Sequence, residues 1–334
     1  MNFKCPVCLL ATVFLATVSP AEAQQAKKIP RIAYVTGLSD ASKSASRDEA
    51  FWQRFRDLGY SAGKNVLIEY RYLEGNTDAY PQLMTELVGL KVDVLVVAGS
   101  LTMIRLAKQA TKTIPIVIVT TQDPVRMAIV DSLARPGGNI TGVTTLLREL
   151  SGKRLEILKE SVPRISRVAV LGSATQLRTR TDGTSDIQWY EEPARALKLQ
   201  LEALEVKPPN PDFEGAFQSA AKGKANALIT VSGSLLTPHL KRIAELAIKY
   251  RLPSMHERQD YVEAGGLMSY AASETASYAR AAEYVDRILK GTKPADLPVE
   301  QPIKFEYIIN LKTANALRVT IPQWTLMKAD KVIR

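Results

Sequence analysis

The chain has 334 residues, 46% of them apolar, and a formal net charge of +10. That length suits two domains, each with its own hydrophobic core. Lys and Arg are dispersed, with no block of five or more like charges, which argues against a nucleic-acid partner and leaves solubility and mild attraction to anionic ligands as the role of the charge.

The first segment has the pattern of a secretory signal. Lys4 precedes an apolar run over 7–18, and Ala21-Glu22-Ala23 puts small residues where a signal peptidase reads, so cleavage is expected after Ala23 and the mature chain is expected in the periplasm. The apolar run is short of the roughly 20 residues of a membrane span, and no later segment is long and apolar enough. Cys5 and Cys8 are the only cysteines and leave with the signal, so the mature chain is expected to lack a disulfide and a lipid anchor.

A buried strand is expected over 31–36, followed by a helix over 47–59 that puts Phe51, Trp52, Phe55 and Leu58 on one face and stops at Gly59. Strand 66–72, helix 78–90, the almost wholly apolar strand 92–98, helix 101–112 and strand 114–120 come next. The second half repeats the scheme with strand 167–171, helix 188–200, strand 201–206, helix 212–222, strand 226–231, helix 235–250 and strand 252–256. Apolar strands alternating with amphipathic helices define an α/β fold with parallel sheets covered on both faces. The halves also share a spacing: Asn76-Thr77-Asp78 precedes Gly99-Ser100 by the interval at which Asn210-Pro211-Asp212 precedes Gly233-Ser234, 23 residues from Asn to Gly in both. Two similar lobes are the expectation.

Gly137-Gly138 precedes the strand-like run 139–144, and Gly265-Gly266 precedes 267–272. Neither is a phosphate loop, which follows a strand and opens a helix. Each pair turns the chain into a late strand, and if those strands cross between lobes they form the hinge, with Thr144, Thr145 and Ser269 as hinge residues.

Catalytic and metal signatures are scarce. The only histidines are His239 and His256, the mature chain has no thiol nucleophile, and no His, Asp or Glu cluster has metal-ligand spacing, so neither enzyme activity nor a cofactor or metal is expected. What recurs instead is short polar residues just past the carboxyl ends of the expected strands, the edge at which open α/β sheets bind ligands. Those chosen as ligand contacts are Ser39, Ser100, Thr121 and Asp123 from the first half, Ser173, Ser234 and Glu257 from the second, and Tyr270 at the hinge. Free N–H groups and hydroxyls there suit a carboxylate, and Asp123 or Glu257 an ammonium. Ser, Thr and Asp are equally the preferred helix caps, the reading favoured for Asp78 and Asp212. Tyr34, Trp52 and Phe55 read as core, and one of Trp189, Tyr190 and Tyr270 could stack on a flat ligand.

The stretches "IVDSLARPGGNITGVT", "HLKRIAELAIKYRLPSMHERQDYVEAGGLMSYAAS", "ILKGTKPADLPVEQPIKFEYIINLKTANAL" and "TIPQWTLMKADKVI" resemble the ABC transporter substrate-binding protein family related to tryptophan and tyrosine uptake, over about residues 30–334. The resemblance implies a type I periplasmic binding protein: two Rossmann-like lobes joined by crossover strands, closing on a ligand and delivering it to an ABC permease in the inner membrane. Two places depart from the family. Gly99-Ser100-Leu101-Thr102-Met103 stands where members often have Gly-Thr-Pro-Ala-Ala, and Met255-His256-Glu257-Arg258 where an apolar or Tyr-containing segment is common. Both fall on the cleft edge and put in doubt the transfer of an aromatic amino acid as the ligand.

The reading is a monomeric solute-binding protein for a small molecule, either amino acid-like or an aromatic or short carboxylate. Lobe one is placed at 30–145 plus about 272–300, and lobe two at 146–271 plus part of 301–334. The alternative is an exported ligand-sensing module for a membrane receptor.

Overall fold

The computed structural model describes residues 28–36, 41–72, 77–179, 184–233 and 235–334. The segment expected to be a signal, with Cys5 and Cys8, lies outside them. The strands are β1 (Arg31–Thr36), β2 (Leu67–Tyr72), β3 (Val94–Ala98), β4 (Ile116–Thr120), β5 (Ile140–Thr144), β6 (Arg167–Ser173), β7 (Gln200–Val206), β8 (Ala227–Thr230), β9 (Ser254–His256), β10 (Met268–Ala272), β11 (Val299–Glu300), β12 (Phe305–Asn310) and β13 (Lys331–Ile333).

They form two sheets. The first, six-stranded, runs β11-β5-β4-β3-β1-β2, and the second, seven-stranded, runs β13-β12-β10-β9-β8-β6-β7. Every pairing is parallel except β10 with β12. The order β5-β4-β3-β1-β2 is repeated as β10-β9-β8-β6-β7, so the matched spacing of the sequence halves is a matched topology. The apolar runs follow from this architecture: β3, β4 and β8 are buried along their whole length because helices cover both sheet faces. On the first sheet, Leu83, Met84, Met103 and Ile104 pack one face, and Phe51, Phe55, Ala281 and Val285 the other.

Three expectations are modified. The first helix begins at Ala41, in a Ser- and Ala-rich stretch without an apolar stripe. The helix expected over 235–250 is a 3₁₀ turn at Thr237–His239 followed by a helix at Leu240–Lys249. Pro238, which lacks an N–H, sits in that turn. The double glycines do turn the chain, with φ of +83° at Gly137 and +112° at Gly265, but β5 and β10 stay in their own sheets. The residues after them make the crossing: the chain leaves the first sheet after β5, returns after β10 through the helix Glu274–Leu289, and crosses again between β11 and β12. No helix among the described residues is long and apolar enough to cross a membrane.

Gly142 marks a close approach of two backbones. It has a φ of +140°, and a Cβ there would stand 2.1 Å from the Ile118 carbonyl oxygen and 2.6 Å from its nitrogen, inside the β4–β5 pairing. Gly142→Ala is expected to cost at least ~2 kcal/mol of unfolding free energy. An unchanged denaturant midpoint would contradict this packing.

Candidate functional site

Two adjoining cavities lie where the carboxyl ends of the strands of both sheets meet. One is lined by Thr121, Gln122, Asp123, Arg126, Met127, Leu146, Arg148, Glu149 and Trp189. The other shares Thr121, Gln122 and Arg148 and adds Leu147, Gln176, Asp186, Tyr190, Val231, Ser232 and Glu257. Thr121 to Met127 follow β4, and Leu146 to Glu149 follow β5; Gln176 follows β6, Val231 and Ser232 follow β8, and Glu257 follows β9. Both sheets therefore present the edge at which parallel α/β sheets take ligands.

The two cavities differ in chemistry. In the first, Met127, Leu146 and Trp189 form an apolar wall, and the Arg126 guanidinium stands 5.5 Å from the centroid of the Trp189 ring. At its rim, Asp123 Oδ1 accepts from the N–H groups of Val125 (2.9 Å) and Arg126 (3.1 Å), which fixes the loop after β4. Desolvation, and then the charge of Asp123, push the Glu149 carboxyl above its ordinary value.

The second cavity is polar. Arg148 Nη2 pairs with Asp186 Oδ1 at 2.7 Å. Glu257, 4% exposed, accepts from the Tyr190 hydroxyl (2.9 Å) on Oε1 and from the Ser232 N–H (2.8 Å) on Oε2. Behind it Arg154 Nη1 lies 3.4 Å from Oε1. Burial and the Glu257 charge hold the Tyr190 hydroxyl well above its ordinary value, so it remains a donor. Gln176 donates to the Ser232 carbonyl at 2.8 Å.

Of the residues chosen from the sequence, Thr121, Asp123 and Glu257 line these cavities. Ser173 stands one step behind, its N–H (3.2 Å) and hydroxyl (2.8 Å) both donating to Gln176 Oε1. Ser100 is outside both, an exposed N-cap accepting from the Met103 N–H at 3.4 Å. Tyr270 is not in either wall; its ring stacks on Phe305 at 5.9 Å. Ser39 and Ser234 lie outside the described residues. Of the residues expected at the hinge, the Thr144 hydroxyl donates to the Gln122 carbonyl at 2.7 Å, and the Thr145 N–H to the Thr120 carbonyl at 2.9 Å. The hydroxyls of Thr145 and Ser269 are buried with no hydrogen-bond partner among the described residues.

Gln122, Arg126, Arg148, Gln176 and Asp186 are not among the residues chosen from the sequence, whereas Ser232 is one of the polar residues past a strand end, beside the Ser234 chosen as a contact. For Arg126 and Arg148 a signal existed, since each follows a strand end by a few residues, but a lone Arg in a loop reads as solvent-facing. Nothing local marks Asp186. His256, in the segment expected on the cleft edge, is fully buried below it, with its ring nitrogens 2.9 Å from Thr230 Oγ1 and from Ser254 Oγ and its ring stacked on Tyr261. Asp212 is the helix cap it was expected to be, accepting from the Gly215 N–H at 2.8 Å. Among the described residues no group of three or more His, Cys, Asp or Glu could hold a metal ion.

Two α/β lobes of matching topology, meeting at a polar cleft and joined by three crossings, are the type I periplasmic binding fold. A model of the ABC transporter substrate binding protein family matches residues 32–333, and the chain belongs to that family. The tyrosine-binding protein of Clostridioides difficile (strain R20291) is 26% identical over 284 residues, 84% of this chain and 80% of the relative. Among solved structures, a conserved domain protein from Vibrio cholerae O1 biovar eltor is 25% identical with a TM-score of 0.79, covering 91% of this chain and 100% of that one. The ABC domain from Streptococcus pneumoniae in complex with L-Trp is 22% identical with a TM-score of 0.78, covering 91% of this chain and 99% of that one. The family is one of solute-binding proteins rather than enzymes, and such proteins of ABC importers work on the outer side of the membrane.

Burial lowers the His256 pKa to about 3, against an ordinary value of 6.5. The unfolded chain takes up a proton below pH 6.5 that the native chain refuses, so this residue's contribution is complete above 6.5 and is lost as the pH falls toward 3. The loss amounts to roughly 1.4 kcal/mol per pH unit within that window. His256→Gln should flatten the stability–pH curve between these limits by one proton; equal slopes in denaturant titrations would sink the assignment.

Proposed function

We propose that this protein is the periplasmic solute-binding component of an ABC importer, and that it captures an amino acid-like ligand bearing an aromatic or other flat apolar group. A monomer closes its lobes on the ligand by hinge movement and presents the closed form to a permease in the inner membrane. One lobe comprises residues 30–145 plus about 272–300, and the other 146–271 plus part of 301–334. Sheet membership supports these limits: β11 lies in the first sheet, whereas β12 and β13 lie in the second.

The observation that carries the ligand class is the division of the cleft. Met127, Leu146 and Trp189 offer an apolar compartment beside one that holds Arg148, Asp186, Gln176, Ser232 and Glu257. A ligand with an apolar end and a polar end of both charge signs satisfies both. Arg126 and Trp189 come from opposite lobes and already meet, the guanidinium 5.5 Å from the ring centroid. A flat ligand group that replaces the Arg126 contact on the ring therefore touches both lobes only when they are shut, and its binding free energy is then available to favour closure. Thr121 and Gln122, shared by the two compartments, stand where the ligand's ends join. Asp123, tied to its own loop, and Glu257, already holding Tyr190 and Ser232, form fixed walls of the site.

Thermal-shift and calorimetric titrations of the purified protein with L-tyrosine, L-tryptophan, benzoate and a cationic and an uncharged solute test this reading. Stabilisation by an aromatic amino acid or aromatic acid is expected, and Trp189→Ala should weaken it about tenfold, the loss of one ring contact. Stabilisation by the cationic or the uncharged solute alone would overturn the ligand class.

A further inference from the structure

Arg154, on the helix Ser151–Ser161, is wholly buried and outside both cavity walls. Its hydrogen bonds lead to three different parts of the molecule. Nη1 donates to the Leu147 carbonyl at 2.7 Å, in the first crossing between lobes. Nε donates to the Tyr270 carbonyl at 2.9 Å, in β10 just before the second crossing. Nη1 also reaches Glu257 in the wall of the polar cavity. The Tyr270 ring stacks on Phe305, the first residue of β12 after the third crossing.

The Leu147 backbone is held through both of its polar groups. Its N–H donates to the Thr121 carbonyl at 3.2 Å, in the loop after β4, while its carbonyl accepts from Arg154. A shift of one lobe relative to the other must change that pair of hydrogen bonds. Arg154 also keeps donor capacity in reserve, because Nη2 is buried with no hydrogen-bond partner among the described residues. A buried charge with an unsatisfied donor is costly, and an arrangement of the crossings that brings it another acceptor is favoured by that amount. Aliphatic packing at this position would avoid the cost but could not link a cleft carboxylate to two crossings.

We propose that Arg154 is the positioning residue that couples occupancy of the cleft to the relative arrangement of the lobes. A ligand group that draws on Glu257 or displaces Leu147 alters what Arg154 holds, and Arg154 passes the change to the crossings through Leu147 and Tyr270. This coupling rests on the ligand-binding reading of the cleft, with L-tyrosine as the probe.

The test compares the wild type with Arg154→Lys, which keeps the charge but loses the fork that spans three acceptors, and with Thr121→Ala in the cleft wall. Calorimetry gives affinity, and small-angle X-ray scattering gives the radius of gyration without probe and at saturation. Wild type and Thr121→Ala should both contract at saturation. Arg154→Lys should bind about tenfold more weakly, because closure no longer assists binding, and contract by less than about half as much. Full contraction of Arg154→Lys at saturation overturns the proposal. If the wild type does not bind L-tyrosine, that ligand assignment fails while the coupling is still tested without probe: Arg154→Lys should have a larger radius of gyration than wild type, and an identical one overturns the proposal. Should Arg154→Lys not fold, Glu257→Gln, which keeps the shape but removes the charge facing Arg154, is expected to lose contraction in the same way, and full contraction counts against it.

Discussion

A parallel sheet has no face to spare for water, because each strand is buried on both sides and the chain must return over the sheet through a helix. The inner strands here obey that constraint, with β3, β4 and β8 buried end to end and helices on either face, while the edge strands β2 and β7 are partly exposed. What remains for chemistry is the carboxyl edge, where the strands stop and the polar loops begin. Because the strand order is the same in both halves, both sheets present that edge in the same way. The cleft is the place where the two edges meet, and it needs contributions from both: Thr121 and Gln122 from beyond β4, Ser232 from beyond β8, Glu257 from beyond β9.

Charge in such a cleft is expensive unless each group has a partner. Arg148 is paired with Asp186, and Glu257 is held by Tyr190, the Ser232 N–H and Arg154. These contacts orient the groups, so the cleft presents a fixed pattern of donors and acceptors beside an apolar wall. Arg126 over the Trp189 ring is the exposed counterpart, a contact that solvent weakens.

The legible part of the fold was the part governed by local periodicity. β1, β4 and β7 fall within two residues of their expected limits, as do the helices Leu101–Ala110 and Phe213–Lys222. The helices Ser151–Ser161 and Glu274–Leu289 and the strands β11 to β13 were not separately drawn. In Ser151–Ser161, Arg154 and Ser161 are buried, so the helix lacks the clean division into apolar and polar faces from which periodicity is read. In Glu274–Leu289 the buried face is built largely from Ala, Ser and Tyr. The site was legible only as an edge. Thr121 and Ser100 look alike in sequence, each a hydroxyl beyond a strand, yet one faces the cleft and the other caps a helix away from it.

The sequence by itself determined the α/β class, the two-lobe repeat, the glycine turns before β5 and β10 and the family to which the chain belongs, because these depend on short-range pattern and on spacing along the chain. Only the tertiary structure decided that His256 is core, that Asp186 meets Arg148, and that Arg154 lies buried behind Glu257 with a hold on two crossings. Those facts join residues from 7 to 116 positions apart, and the burial and pairing that give a charged side chain its role arise only when distant segments close around it.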